Sequence, residues 1–502
     1  MAESGGERLI SRRGFMIACA LTFVWHLLTL HPGHNWGGDF AQYIMHARNI
    51  LAGRGYAEGI MLDNPVLFPP GFPVLLVPLI RVFGVNFQLL KIWNVVFWYG
   101  MLVFLYDKFR ASFGETTARL SVLFFVVNAY FFNFKQNVLS DIPFAFFVWA
   151  ALAAASFYEQ QREQGRQRKA SAALMLAVVL TLAAFCIRAA GVALAGAMFY
   201  YFAVIRRNFR AAGILGTAFL SLSVVLAVTI GSSPGDLQVL LEHPAAAARA
   251  VLANVPLITR SLWIASFPIE TRIMRALYQG VVPLLDGAAG VFYIGLCVSF
   301  AVKSFAKTLT LEETFLAFYC GMLFVLSAFD NAPQEFIRFL LPVWGVLLFV
   351  MIRAAVEAGA GMSGRRPVGE ALSRFMKAGV VVMILVNAGT LAITHRRQDD
   401  VLYRKANQEL FSWVKENIPP DGHYIFWQPR TLALMTGRVG TDRWNQPSQR
   451  GHLTERIARM NIRYLLLDRR MDADLLSALE AGFLPSDEIW QNSLYRIFRV
   501  KR

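Results

Sequence analysis

A single carboxylate follows the first apolar stretch of the chain, in the run Gly37-Gly38-Asp39. An acid at the edge of a membrane segment adds nothing to packing in lipid, whereas a carboxylate within reach of a hydroxyl group can take its proton as the oxygen attacks. Asp39 is therefore a candidate general base. The plain alternative is a solvated loop acid, because the loops beside membrane spans are commonly polar.

Three further charged residues stand where apolar runs begin or end, namely Asp141, Arg188 and Arg338. Each has a structural alternative. Asp141, followed by Pro143, could cap a helix. Arg188 could extend its side chain toward the membrane surface. Arg338 could form an ion pair with Glu335.

Together the four positions make a chemical set of two acids and two arginines. The planar guanidinium group matches the oxygens of a phosphate, and near a low-dielectric boundary its charge acts strongly on a developing anion. A carboxylate that accepts a proton from an incoming hydroxyl completes the set. The combination predicts group transfer from a membrane-anchored phosphate donor.

Composition places the chain in the membrane. Of 502 residues, 56% are hydrophobic, the mean hydropathy is +0.45, and apolar runs recur along the sequence. The net charge of +16 comes from Lys and Arg clustered between the apolar runs, as expected for loops on the inner side of a membrane, so we predict no nucleic-acid partner. The four cysteines form no C-x-x-C pair, which argues against a disulfide framework or a structural zinc site.

The apolar runs predict an all-α polytopic membrane protein with about eleven spans and an inner N-terminus. Residues 66–84 are apolar but hold Pro69, Pro70, Pro73 and Pro78, which disfavour a straight span, so we assign them to outer juxtamembrane helices. With that assignment the basic clusters all fall on one side. The predicted spans are 15–31, 87–106, 118–137, 142–158, 171–187, 191–205, 211–230, 282–302, 313–329, 338–355 and 376–394.

The spans and the polar tail divide the chain into two predicted domains. Residues 1–394 form a transmembrane catalytic domain with outer loops at 32–86 and 231–281. Residues 395–502 mix helical and strand-like periods with strong turn signals, and we predict a small soluble α/β domain outside the membrane.

Five motifs, in order over the first 350 residues or so, resemble the GT-C membrane glycosyltransferases. The closest resemblance is to the bacterial relatives of the dolichyl-phosphate-mannose protein mannosyltransferases, which include the lipid A aminoarabinose transferases. The matching residues are Asp39-x3-Tyr43-x3-Ala47 with Gly53-x-Gly55-Tyr56, Phe68-Pro69-Pro70-Gly71-Phe72-Pro73, Leu139-Ser140-Asp141-Ile142-Pro143, Arg188-Ala189-Ala190-Gly191, and Arg338-Phe339-Leu340-Leu341-Pro342.

The resemblance implies an inverting transfer of a single sugar from a polyprenyl-phosphate carrier to a lipid, glycan or protein acceptor. The site would be the outer face of a bacterial cytoplasmic (inner) membrane. Asp39 would match the catalytic base. Asp141 would match the second catalytic acid, which helps to position the acceptor or the donor sugar, or a metal where one is used. Arg338 and Arg188 would hold the carrier phosphate. The aminoarabinose branch has a Glu-Lys pair where this chain reads Val66-Leu67-Phe68, so the donor specificity of that branch does not carry over.

Three more residues are candidates for substrate binding: Tyr43, His34 and Glu335. His31, His34 and Asp39 also cluster in sequence, but a loop with Pro32 and Gly33 fixes no metal geometry, so we predict no metal ligands. The resemblance implies no certain cofactor, and a divalent cation is the one that some members of such families use.

A lipid-linked sugar flippase or secondary transporter is the main alternative, because many spans and intramembrane charges suit it equally well. Such proteins commonly carry paired repeats and charges near the middle of the membrane. This sequence shows no clear repeat, and its four charges are predicted at one surface. The sequence therefore favours an enzyme.

Overall fold

The computed structural model describes residues 11–57, 59, 61–62, 68–230, 249, 295, 298–326, 338–361, 366–394, 401–442 and 450–501. The described part is mostly helical, with a small sheet near the C-terminus, as predicted. The helices are α1 (Arg12–Leu28), α2 (Asp39–Leu51), α3 (Gly71–Phe83), α4 (Phe87–Leu90), α5 (Ile92–Phe113), α6 (Glu115–Val126), α7 (Ala129–Phe134), α8 (Asp141–Glu163), α9 (Gln167–Ile187), α10 (Gly191–Tyr200), α11 (Phe209–Ile230), α12 (Leu311–Leu326), α13 (Trp344–Gly361), α14 (Arg366–Thr394), α15 (Lys405–Asn417), α16 (Pro429–Thr436), α17 (Arg450–Arg459) and α18 (Ala473–Glu480). The strands are β1 (His423–Ile425), β2 (Gly440–Thr441), β3 (Ile462–Asp468), β4 (Ser486–Gln491) and β5 (Tyr495–Val500).

The chain divides into two compact units. The first, here the helical unit, comprises Met1–Leu30, Ile92–Gln136 and Ser140–Arg397. The second, here the loop–tail unit, comprises His31–Lys91, Asn137–Leu139 and Gln398–Arg502. The predicted outer loop and the polar tail thus pack into one body, although more than 300 residues of chain separate them.

Five helical segments of the described residues are long and apolar enough to cross a membrane: Phe87–Phe113, Asp141–Glu163, Gln167–Ile187, Phe209–Thr229 and Arg338–Glu357. Each overlaps a predicted span. Shorter apolar helices cover Gly71–Phe83, Gly191–Ile205 and Ala378–Ala392. The total of eleven stays a prediction, since most of 282–302 and of the loop 231–281 falls outside the described residues.

One predicted span is wrong in detail. Residues 118–137 do not form a single helix, because α6 ends at Val126 and α7 begins at Ala129. The side chain of Asn128 accepts hydrogen bonds from the backbone N–H groups of Tyr130 and Phe131, which caps a new helix at this point. The Asn387 side chain accepts a further one from the N–H of Ala129.

Helix α3 is short, as expected from the prolines of this segment. It has 13 residues, about 20 Å at the usual rise per residue, against a hydrocarbon core of roughly 30 Å. Phe72, Leu76 and Ile80 are buried on one face, whereas Val74 and Val82 are 52% and 70% exposed. This two-faced pattern suits a helix lying at a surface.

The tail forms a mixed five-stranded sheet in the order β2-β1-β3-β5-β4. β1 pairs in parallel with β2 and β3, and β5 pairs antiparallel with β3 and β4. Ile425, Leu465 and Phe498 lie in its buried core beside residues of α17 and α18. Met61 of the outer loop forms a bridge with Gly440 of β2, so the loop joins the sheet edge within this unit.

Candidate active site

In the helical unit, Asp141 is the first residue of α8. The preceding Ser140 occupies the N-cap position without a side-chain cap bond, so the capping alternative does not describe the Asp141 carboxylate. An acid in a first turn is favoured by the partial positive charge of the helix N-terminus. The residue is 1% exposed, and a carboxylate this buried requires charged or hydrogen-bonding partners.

Two guanidinium groups supply those partners. Arg188 Nη1 donates to Asp141 Oδ1 at 2.6 Å. Arg338 Nε lies 3.1 Å from Oδ2 and 3.3 Å from Oδ1 of the same carboxylate. The arginine side chains are 13% and 16% exposed. Three of the four predicted charges therefore form one cluster with a net charge of +1.

The local backbone explains how Arg188 reaches this cluster. Helix α9 ends at Ile187, and Arg188 follows in an extended conformation. The N–H of Gly191 then donates to the Arg188 carbonyl at 2.8 Å, closing a tight turn into α10. A Cβ atom on Gly191 would lie 2.5 Å from the Phe185 backbone, so only glycine fits where the two helices meet.

Arg338 is the first residue of the helical segment 338–357, and contacts of the next residue, Phe339, fix the start of this segment. The Tyr319 hydroxyl of α12 donates to the Phe339 carbonyl at 2.8 Å, and Tyr319 itself is fully buried. The Arg188 guanidinium lies over the Phe339 ring, 5.3 Å from its centroid, a favourable cation–π distance. Phe339 belonged to the quoted sequence motif, but no signal pointed to Tyr319.

In the loop–tail unit, Asp39 is the first residue of α2, after Gly38 in the N-cap position. It is partly exposed, in contrast to the buried residues Phe40 and Ala41 that follow it. The Thr431 hydroxyl of α16 donates a hydrogen bond to the Gly37 carbonyl just before Asp39. The tail thus fixes the turn from which α2 begins.

Tyr43 lies one turn after Asp39 and is 3% exposed. Its ring packs 5.0 Å from that of Phe68 and 4.9 Å from that of Phe72. The motif glycines Gly53 and Gly55 have φ angles of 68° and 75°, which explains their residue type at the turn that ends α2. These motif positions are thus accounted for by local structure, and substrate contact by Tyr43 stays a prediction.

His34 is 4% exposed, and both of its ring nitrogens are hydrogen bonded. Nδ1 lies 3.1 Å from the Asn35 carbonyl, and Nε2 accepts from the N–H of Val138 at 3.0 Å, so the ring is neutral with its proton on Nδ1. Burial, and next the charge of Lys91, lower the pKa of His34 to about 3. These contacts explain His34 as a structural residue of the loop.

Lys91 is a residue that the sequence did not single out. Its ammonium group is buried and donates to the carbonyls of His31 and Gly33, holding the loop before α2. Glu335 lies outside the described residues. Within the described ranges, no group of three or more His, Cys, Asp or Glu side chains is arranged to hold a metal ion.

Comparison with known proteins agrees with the motifs. Residues 68–230 match the family model of dolichyl-phosphate-mannose-protein mannosyltransferases. No curated protein matches the sequence.

Two solved structures resemble nearly the whole chain. ArnT from Cupriavidus metallidurans, in a crystal structure bound to undecaprenyl phosphate, has a TM-score of 0.56 at 12% identity over 97% of this chain and 98% of its own. The oligosaccharyltransferase AglB from Archaeoglobus fulgidus, in complex with an inhibitory peptide and a dolichol-phosphate, has a TM-score of 0.56 at 12% identity over 94% of this chain and 72% of its own. The resemblance predicted from the motifs is confirmed, and this chain shares the fold of these two solved structures.

Proposed function

We propose that this protein is an inverting glycosyltransferase that moves one sugar from a polyprenyl-phosphate-linked donor to an acceptor at the outer face of a bacterial cytoplasmic membrane. The observation that carries the proposal is the cluster of Arg188 and Arg338 on the buried carboxylate of Asp141. Two guanidinium groups held in place at the ends of apolar helices form a preorganised site for a phosphate at the membrane boundary. The solved structures with lipid phosphates share the fold and supply the substrate class.

In the proposed reaction an acceptor hydroxyl or amide attacks the anomeric carbon of the donor sugar. Asp39 takes the acceptor proton as the new bond forms. The bond between the anomeric carbon and the phosphate oxygen breaks, and its electron pair leaves with the carrier. The sugar configuration inverts in this single displacement.

The leaving group gains one negative charge, as a phosphodiester becomes a phosphomonoester. Arg338 and Arg188 would stabilise that charge, so the departing oxygen needs no general acid. Both carboxylate oxygens of Asp141 accept hydrogen bonds from guanidinium nitrogens, so its role would be to orient the two arginines. A divalent cation, where one is used, would add to this cationic field.

The direct test compares cell envelopes with and without the gene. Mass spectrometry of glycolipids and glycoproteins should show one hexose, pentose or amino sugar missing from the deletion strain, while the unused polyprenyl-phosphate sugar accumulates. Purified protein given that accumulated lipid fraction and deletion-strain membranes should release free polyprenyl phosphate. A flippase or transporter leaves the sugar–phosphate bond intact, so an absence of carrier release with active protein would reject the enzymatic proposal.

A further inference from the structure

The start of helix α16, in the tail, lies against the residue before Asp39. A Cβ atom on Gly38 would lie 3.4 Å from Gln428 Oε1 and 3.8 Å from Arg430 Nη1. These are ordinary contact distances, so two polar groups of the tail sit directly beside the N-terminus of α2. A side chain extending beyond Cβ at position 38 would meet both groups.

The charge of Arg430 also reaches further along α2. His46 is buried and stacks on the Tyr56 ring at a centroid distance of 4.1 Å. Its pKa is lowered to about 4, first by burial, with a further lowering contribution from Arg430. His46 follows Asp39 by two helical turns, so the positive charge of Arg430 acts on α2 beyond its first turn.

Residues other than Arg430 already join the loop to the tail. The Thr431 hydroxyl already bonds to the Gly37 carbonyl, and the N–H of Leu402 donates to the His34 carbonyl at 3.3 Å. The Trp36 ring also packs 5.5 Å from those of Phe411 and Phe426. These bonds and ring contacts join the loop to the tail without any positive charge.

We propose that Arg430 is a positioning residue for Asp39: its guanidinium, held beside Gly38, orients the Asp39 carboxylate for proton removal from the acceptor. The inference rests on the proposed function, in which Asp39 is the general base. It gives the tail a part in the reaction, because the residue that aligns the base comes from the opposite end of the chain.

The test uses the full-length protein with Arg430→Gln, which removes the charge, and Arg430→Lys, which keeps it. Arg438→Gln serves as the matched control, since Arg438 lies in the same segment and donates to the backbone carbonyls of Ile418 and Lys415. The donor is the polyprenyl-phosphate sugar fraction extracted from the deletion strain, and the readouts are kcat, the donor KM and thermal stability in detergent.

A misaligned catalytic group costs up to about 10²-fold in rate, so Arg430→Gln should lower kcat by about 10- to 100-fold with little change in KM. Arg430→Lys should recover much of the loss, and Arg438→Gln should keep the wild-type kcat. Wild-type kcat in Arg430→Gln, or an equal fall in Arg438→Gln that follows lost thermal stability, would overturn the inference while leaving the proposed function intact. Failure of the wild-type protein to release the carrier would overturn both.

Discussion

Asp39 and Asp141 begin their helices in the same way, yet their surroundings differ. Each is the first residue of its helix, after an N-cap residue that makes no side-chain cap bond. Asp141 is 1% exposed and engaged by two guanidinium groups, whereas Asp39 is partly exposed at the start of α2. The same local sequence signal therefore occurs in two environments, and tertiary packing decides between a buried carboxylate that holds two guanidinium groups and one that stays partly accessible.

The largest effect should come from Asp39→Asn. The amide cannot take a proton, and loss of a general base costs about 10²- to 10⁴-fold in rate. Folding should change little, because Asp39 lies at a partly exposed helix start. Carrier release by purified protein should fall accordingly, while binding of the donor, followed by native mass spectrometry, should persist. A variant with the wild-type rate would remove Asp39 from the reaction.

Asp141→Asn should differ by damaging stability as well as activity. The substitution leaves Arg188 and Arg338 without their counter-charge in a site where both are mostly buried. Breaking a buried pair on one side costs about 3–5 kcal/mol, since an uncompensated charge remains. Thermal unfolding in detergent should show a large loss, and the double variant Asp141→Asn/Arg188→Gln should lose less than the sum of its parts. An unchanged unfolding temperature for Asp141→Asn would contradict this view of the cluster.

Gly191→Ala probes the turn that carries Arg188. A methyl group there would meet the Phe185 backbone at 2.5 Å, and backbone atoms cannot yield as a flexible side chain can. Overpacking of this kind costs about 1–3 kcal/mol, and the turn should shift Arg188 away from Asp141. We expect a lower unfolding temperature and a higher donor KM. Gly213→Ala is the control, because a Cβ at Gly213 in α11 meets no atom within 4 Å.

Because His34 is buried and neutral, we expect the free energy of unfolding to decrease at acidic pH. Its pKa is about 3 in the folded state, below the ordinary value of 6.5, so between these values the unfolded chain binds the extra proton. Stability should therefore fall as the pH drops below about 6.5, by up to roughly 1.4 kcal/mol per pH unit. Thermal unfolding in detergent at pH 7.5, 6 and 5 measures the slope. His34→Gln should reduce this slope without abolishing it, because the lowered pKa of the buried His46 contributes in the same direction. An unchanged slope in the variant would assign the effect to groups other than His34.

The sequence predicted the members of the charged cluster but not their pairing. Asp141, Arg188 and Arg338 each stand at the end of an apolar run, and that position alone marked them. Sequence separations of 47 and 197 residues carry no information on which carboxylate takes which guanidinium. The helix break at Asn128 could have been predicted, since Asn is a favoured helix cap, but the continuous apolar run around it indicated a single span.

His34 and Arg430 show two ways in which the sequence misleads: it singled out His34, which has a structural role, and it did not single out Arg430. A histidine three residues after another in a polar loop suggests a ligand, and only the fold shows that the His34 ring packs on Phe40 and accepts a hydrogen bond from Val138. Arg430 gave no signal, because its relation to Gly38 depends on the tail packing against the outer loop. Long-range packing between distant segments is what sequence periodicity does not encode.

Arg496→Gln should have the smallest effect, and it tests whether an arginine with only structural contacts can be replaced without loss of activity. Arg496 lies on β5 and pairs with Glu480 at 2.5 Å and Glu488 at 2.6 Å, which raises its pKa. Because Glu480 is 57% exposed, water competes for these pairs, and loss of such surface contacts costs about 1 kcal/mol or less. The unfolding temperature should drop slightly and carrier release should match the wild type. A loss of transfer as large as that of Asp39→Asn would mean that transfer depends on positive charge anywhere on the tail. Arg430 would then differ in no way from an arginine with only structural contacts.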